Sequence, residues 1–532
     1  MNVSNTKRVI NRLLSDSLRC SYQNQPEKIA VIEADESYTY SDLYLQSTQL
    51  AHRLNERGLS KGDRVAIFLD NSWQTIVSIY ATMYAGGVFV VINPQTKAGK
   101  LQYILEDCES KVLITARKYK KVVSPAINNN SFLSAILIKN YEQGCFSTDI
   151  PCEAFDGSEQ RAPLDLVRVI PTDLAALIYT SGSTGFPKGV MQTHQSMFFT
   201  AWSLIEYLRM DENDRIFLVL PIAFDYGLYQ VLMSVNLGAT IILEQSFAYP
   251  AKIYTRIEET QPTVFPAVPT MYAHMIAAYQ REPISFPSIK TITNTAAALH
   301  VDSVPWLHKI FPNALIFKMY GLTECKRVCY LEPELIDEKT SSVGKAIPGT
   351  ETFLLSEDGK PVAANEPGIL HVRGPHVMAG YWHQPERTEK MLVDGNLPGE
   401  KVLCTHDIFK MDDEGFLYFV SRSDDIIKSK GEKVSPTEVE NILLKLESVL
   451  EAAVVGIADK TSGQSIAAFI VSEDKNNQNS NKIRMHCNNN MESFMVPSFI
   501  IFIDEMPKSP NGKIDKKRLV KKAEAANTNK RS

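Results

Sequence analysis

The 532-residue sequence has no run of about 18 apolar residues, the length a helix needs to span a bilayer, so no membrane crossing is expected. It has no CxxC pair. Its eight cysteines (20, 108, 145, 152, 325, 329, 404 and 487) are scattered, and Cys325 and Cys329, four apart, have no histidine nearby. That excludes a patterned zinc site or disulfide framework and predicts reduced thiols in a cytoplasmic protein. Neither charge is in large excess. With 56 Lys and Arg against 61 Asp and Glu, the net charge is −5, which gives no general affinity for polyanions, and nucleic acid is not expected as a partner. The stretch Met1–Arg19 mixes Lys7, Arg8 and Arg12 with short apolar pairs and lacks the continuous apolar core of a signal peptide. There is no internal repeat. What remains, 44% apolar and 22% charged residues in a chain too long for one core, describes a globular protein of at least two domains.

Against that plain background one stretch stands out, Tyr179-Thr-Ser-Gly-Ser-Thr-Gly-Phe-Pro-Lys-Gly-Val190. It follows the apolar run Leu174–Ile178, which reads as a buried strand. Thr180, Ser181, Ser183 and Thr184 offer hydroxyls, Gly182, Gly185 and Gly189 let the backbone come close to an anion, and Lys188 adds charge. This is the composition of a phosphate-gripping loop. It is not the NTPase P-loop, whose Gly-x-x-x-x-Gly-Lys-[Ser/Thr] spacing is absent.

Around the loop, strands alternate with helices. Strands are expected at Ala30–Ile32 and Tyr38–Tyr40, then a helix capped by Ser41 with Leu43, Leu50 and Leu54 on one face, a strand Asp63–Leu69, a helix Thr75–Tyr84 and a strand Val88–Ile92. Beyond the loop the pattern resumes with a helix His194–Arg209, a strand Ile216–Leu220, a helix Gly227–Leu237 and a strand Thr240–Leu243, followed by strands near Thr263–Phe265, Ile289–Thr293 and Ala314–Phe317. Short strands with glycine turns follow between Gly344 and Tyr381. The fold class is therefore α/β: a large N-terminal domain, 1–421, of two helix-flanked sheets plus a small β subdomain, and a small mobile α+β domain, 422–532, with the boundary in the charged stretch 421–435. In the small domain a helix Pro436–Leu446 and a strand Glu451–Ile457 are expected. The Asn-rich stretch Lys475–Asn481 reads as a mobile loop and the tail after Leu519 as frayed.

Further motifs carry a resemblance. The loop, then Tyr320-Gly-Leu-Thr-Glu324, then Asp407, Arg422 and Pro510-Asn-Gly-Lys-Ile-Asp515 stand in the order seen in adenylate-forming enzymes, the superfamily of acyl-CoA synthetases, luciferases and adenylation domains of nonribosomal peptide synthetases. The likeness covers Tyr38 to Leu519. It implies that a carboxylate attacks the α-phosphate of ATP, giving an acyl-adenylate and pyrophosphate, and that a thiol then captures the acyl group. The resemblance assigns Thr180–Lys188 to the triphosphate, with Thr184 and Lys188 catalytic, and Glu324 to Mg²⁺. Asn294 and Ala296 would line the adenine, Tyr320 beside Gly321 would stack on it, and Thr323 would contact a phosphate. Asp407 and Arg422 would hold the ribose. Lys513 would reach the substrate carboxylate and α-phosphate from the small domain, a role suited to a compact charge on a long stem. Asp424 matches the hinge, after whose swing Lys428 and Gly431 would line the thiol's path. Ser421 replaces the family's Gly before Arg422, and Gly368-Ile-Leu370 its Gly-Glu-Leu.

The same resemblance places the acid pocket at Asp225, Tyr226, Tyr229, Pro266, Thr293, Thr295, Met319, Arg327 and Val328. Amino-acid-activating members carry an aspartate at position 225 to hold the α-ammonium; the other reading of Asp225 is a cap for the helix starting near Gly227. Phe224–Gln230 and the stretch from His486 to Pro497 resemble stand-alone proteins that load L-proline, and two tyrosines and a methionine leave room for a small acid only. Arg327 suits proline poorly. It either turns outward to solvent, the preferred reading, or neutralises an acidic side chain, which would favour aspartate or glutamate. Only a basic tail follows Lys513, too short for a carrier domain of about 70 residues, so the expected acceptor is a separate phosphopantetheinylated carrier protein or coenzyme A. The sequence thus predicts an L-proline:carrier-protein ligase, with an acyl-CoA synthetase for a small carboxylic acid as the alternative.

Overall fold

The computed structural model describes residues 12–156, 167–180, 187–295, 299, 301–422, 425–429, 432–459, 463–472, 479–491, 493–509 and 513–529. They divide into two compact units. The first is Met1–Thr340, Ala346–Glu351 and Val372–Leu403; the second is Ser341–Lys345, Thr352–His371 and Cys404–Ser532. The expected boundary at 421/422 lies inside the second unit.

Two sheets organise the first unit. One is eight-stranded, ordered Gly380–Tyr381, Lys188–Thr193, Leu174–Thr180, Val88–Val91, Arg64–Phe68, Ser110–Ala116, Ala135–Lys139 and Cys152–Ala154. All its pairings are parallel except those made by Lys188–Thr193. The other is nine-stranded, and its central run is Leu315–Tyr320, Thr291–Asn294, Val264–Ala267, Arg215–Leu218, Thr240–Leu243 and Ile29–Glu33, all parallel.

Parallel strands covered on both faces read as unbroken apolar runs, because successive side chains enter different cores. Val65 and Ile67 join the large core between the sheets while Ala66 and Phe68 join the smaller core behind, all four fully buried. The helix Trp73–Tyr84 is buried all round except at Gln74, as an apolar helix must be when both its sides are covered. Most strand positions fall within a residue or two of expectation. The helix Tyr40–Glu56 is capped by Thr39, not Ser41: Thr39 accepts from the Asp42 amide while the Asp42 carboxylate accepts from the Thr39 amide at 2.8 Å.

In the second unit, Val449–Asp459 and Gly463–Ser472 form a long antiparallel pair with Phe499–Phe502 on the latter's other edge. The helix Pro436–Leu443 is capped by Ser435. The tail does not fray after Leu519. It forms the helix Lys516–Asn529, which buries Leu519 and Ala523 against the sheet's second face. Of the Asn-rich stretch, 475–478 lie outside the described residues, while Asn479 caps the helix Ser480–Asn490.

Two glycines set the site's backbone. A Cβ on Gly227 would sit 2.3 Å from the Pro221 carbonyl, and one on Gly321 would sit 2.2 Å from the Lys326 carbonyl, so both turns close only without side chains. Gly99, in the helix Ala98–Asp107, has open space. Denaturant midpoints should therefore show Gly227→Ala destabilising by about 1–3 kcal/mol or more and Gly99→Ala stabilising by about 0.5–1 kcal/mol. Equal midpoints would refute the close approach.

Candidate active site

Strands Leu174–Thr180 and Lys188–Thr193 pair antiparallel with Thr180 opposite Lys188, which brings the two flanks of the expected phosphate-gripping stretch together. Ser181, Gly182, Ser183, Thr184 and Gly185 lie outside the described residues. The two flanks are described. Thr180 Oγ1 is buried with no partner among the described residues. Lys188 Nζ donates to Glu324 Oε1 at 2.9 Å and to the Tyr381 hydroxyl at 2.6 Å; Tyr381 in turn donates to the same Glu324 oxygen at 2.6 Å. The ammonium also lies 4.0 Å from the Tyr381 ring centroid.

The second Glu324 oxygen takes no hydrogen bond among the described residues, and the side chain is 9% exposed. One free carboxylate oxygen beside the expected phosphate-gripping stretch fits Mg²⁺, which takes one or two protein carboxylates and completes its shell with phosphate and water. A cage of three or more His, Cys, Asp or Glu does not occur among the described residues.

Glu324 is held by the loop that leaves the strand Leu315–Tyr320. Gln192 donates to the Thr323 carbonyl at 3.1 Å, and the Met378 amide to that of Glu324 at 2.8 Å. The loop closes where the Val328 amide bonds the Tyr320 carbonyl at 3.0 Å. Inside it the Arg327 amide reaches back to the Cys325 carbonyl at 2.7 Å across Lys326, whose φ is +62°. A three-residue turn with positive φ at a non-glycine centre is a strained conformation, of the kind that collects at functional sites.

Both cations of this turn are buried. Lys326, 4% exposed, lies 3.6 Å from Asp225 Oδ2 and about 5 Å from the rings of Tyr226 and Tyr229. Burial drives its ammonium down to about 7; Asp225 opposes that shift and Arg327 adds to it. Asp225 does not cap its helix. It is the first residue of Asp225–Leu237, Phe224 holds the cap position, and no side-chain cap bond forms.

Arg327 is corrected outright: it does not face solvent. It is 2% exposed, donates to Thr295 Oγ1 at 2.5 Å and lies 5.6 Å from the Tyr226 ring, while its Nε has no partner. The other expected pocket residues gather here too. The Tyr226 hydroxyl is 2.6 Å from Thr293 Oγ1, Met319 Sδ accepts from Tyr207 at 2.9 Å, and Tyr229, Thr293, Thr295 and Val328 are buried. Asn294 ends its strand, buried, opposite Lys318 on the strand that ends at Tyr320; Ala296 lies outside the described residues.

The remaining expected residues belong to the second unit. Asp407 and Arg422 face each other across an antiparallel pair, with Arg422 Nε 3.1 Å from the buried Asp407 carboxylate. Lys513 is exposed, and its carbonyl accepts from the Ser509 amide at 2.7 Å in a tight turn next to the Lys508–Ile514 bridge. Lys428 lies on the short strand Ile427–Ser429; Asp424 and Gly431 lie outside the described residues. Sequence reasoning missed Tyr381, Gln192 and Lys326. Only Tyr381 had a local signal, an aromatic residue directly after the Gly380 turn.

Lys188 at the flank of the expected phosphate-gripping stretch, its partner Glu324, and the buried neighbourhood of Asp225, Lys326 and Arg327 suit a nucleotide-dependent enzyme that acts on acids. Residues 18–382 match the family model described as AMP-binding enzyme, and residues 438–513 match its C-terminal domain. The chain belongs to the AMP-binding enzyme family. It is an AMP-forming acid–thiol ligase, similar over its length to other such ligases. A long-chain-fatty-acid–CoA ligase of Bacillus subtilis (strain 168) is 31% identical, over 96% of this chain and 94% of that protein. A 2-succinylbenzoate–CoA ligase of Bacillus velezensis is also 31% identical, over 93% and 96%. The solved structure of an anthranilate CoA ligase in complex with anthranoyl-AMP superposes with a TM-score of 0.85 at 25% identity, covering 99% of this chain and all of that one. ATP-bound structures are among its structural relatives. No helix among the described residues is long and apolar enough to cross a membrane.

Lys326 gives the site a pH signature. Its folded value near 7 lies below the unfolded value of about 10.4. Between the two, the unfolded chain binds the extra proton, so stability rises with pH across that window. Denaturant midpoints at pH 7 and pH 9.5 should rise in the native protein and rise less in Lys326→Met. Parallel profiles would show that Lys326 keeps an ordinary affinity for its proton.

Proposed function

We propose that the protein is an AMP-forming acyl-CoA ligase for a small carboxylic acid. The observation that carries this reading is the Asp225–Lys326 ion pair. An α-ammonium of a substrate would need Asp225 as its counter-charge, and the Lys326 amino group already lies 3.6 Å from that carboxylate. The relatives that match over its whole length, named as CoA ligases, support coenzyme A as the acceptor. The second reading, L-proline loaded onto a separate carrier protein, rests on Asp225 and the compact pocket, and requires the incoming ammonium to displace Lys326.

The chemistry joins two anions, so the site must screen charge on both and hold them in line. In this reading Thr180, Lys188 and the residues between them grip the triphosphate, and Thr323 touches a phosphate. Mg²⁺ on Glu324 would supply further charge neutralisation there. Tyr381 holds Lys188 and Glu324 apart from competing partners. Asn294, Tyr320 and Gly321 seat the adenine, and Asp407 and Arg422 the ribose. Lys513 brings positive charge to the reacting carboxylate oxygen and the α-phosphate. For the second half-reaction the hinge at Asp424 exchanges Lys513 for the Lys428 and Gly431 face.

Pyrophosphate exchange into ATP across simple carboxylic acids and the twenty amino acids decides the substrate. Simple acids should drive exchange, and coenzyme A should then consume the adenylate as thioester; exchange driven by amino acids alone would overturn the reading. Lys513→Ala should cut adenylate formation by at least about a hundredfold with ATP affinity largely kept, the pattern of a contact made in the transition state. Unchanged exchange would remove Lys513 from its role.

A further inference from the structure

Charge bookkeeping around the acid pocket leaves one residue over. Lys188 is matched by Glu324 at 2.9 Å and Lys326 by Asp225 at 3.6 Å. Arg327 has no acidic partner among the described residues. It is 2% exposed, no carboxylate among the described residues bonds it, one nitrogen donates to a neutral threonine and its Nε has no acceptor. Its other polar neighbours, Tyr207, Tyr226, Tyr229, Cys325 and Cys329, are held in their neutral forms by burial. A guanidinium without a counter-ion in such a place is costly, and its edge is shaped to receive two oxygens side by side.

We infer that the acid this enzyme activates carries a second anionic group, a carboxylate or its like, which Arg327 receives while Lys326 neutralises Asp225. The inference rests on the acid–thiol ligase reading and narrows it to a small, doubly charged acid. Two features make Arg327 a specificity residue rather than a stray core cation. The close turn at Gly321 and the left-handed Lys326 bury two consecutive cations beside the Tyr226 ring at the cost of backbone strain. Asp225, 3.6 Å from Lys326 Nζ, makes no ion pair with Arg327 among the described residues. The arrangement also sets which end reacts: the group on Arg327 is fixed in the pocket and the other carboxylate is left for the α-phosphate.

The test compares matched pairs in the wild-type enzyme, small dicarboxylic acids against their monoamides, by pyrophosphate exchange. The dicarboxylates should exceed their monoamides in kcat/KM by about a hundredfold or more, the range for losing a buried charge-assisted pair. Arg327→Met should collapse that ratio towards one by lowering the dicarboxylate alone, with KM for ATP little changed and Arg327→Lys recovering part of it. A structural role would lower both members of each pair equally, and a phosphate-binding role would raise KM for ATP; either result overturns the inference. Equal use of acid and amide by the wild-type enzyme overturns it without any variant and leaves the ligase reading standing. Exchange with no acid of either kind would overturn the ligase reading itself.

Discussion

The ion pair between Lys188 and Glu324 is the constraint on which the first unit's site depends. The two residues lie 136 positions apart, one beginning a strand of the eight-stranded sheet and the other just beyond a strand of the nine-stranded sheet. Their bond fixes one flank of the expected phosphate-gripping stretch against the carboxylate that suits Mg²⁺. Burying such a pair is rarely stabilising by itself, because both groups give up hydration. Here the Tyr381 hydroxyl bonds both partners and its ring faces the ammonium, so the charges have other contacts to replace the lost water.

Backbone geometry then decides where the pocket's charges point. Gly227 lets the helix Asp225–Leu237 start against the Pro221 turn, which puts Asp225 at its first residue. Gly321 lets the loop after Tyr320 fold back on Lys326. Without these two close approaches Lys326 and Asp225 would not meet, and Arg327 would not be stranded beside Thr295. Electrostatics in the pocket are thus a consequence of two missing side chains.

Much of the fold was legible because both sheets are buried on two faces. Runs such as Val65-Ala66-Ile67-Phe68 have one plausible fate, and the helices between them show their period. Legibility failed where a choice depended on partners far along the chain. Ser41 was expected as the cap, but the reciprocal bonds with Asp42 make it Thr39. The strand Lys188–Thr193 was hidden because its apolar content is low, and its pairing with Leu174–Thr180 forms it. The tail after Leu519 is Lys-rich and reads as solvent-exposed, yet Leu519 and Ala523 find a sheet face to cover. Arg327 was expected outside because long cations prefer water, a preference the folded loop overrides.

The sequence by itself determined the chemistry: an anion turn, an ordered set of motifs and the family they mark, since those residues must be present wherever they end up. Only the tertiary structure decided how the charges pair. A sequence lists Asp225, Lys326 and Arg327 as three ionisable groups, each with a reasonable local reading. Ion pairing falls off with distance and depends on shared burial, and both are set by contacts about a hundred residues away along the chain. Whether Asp225 awaits a substrate's ammonium or already has one from Lys326 is therefore a property of the fold.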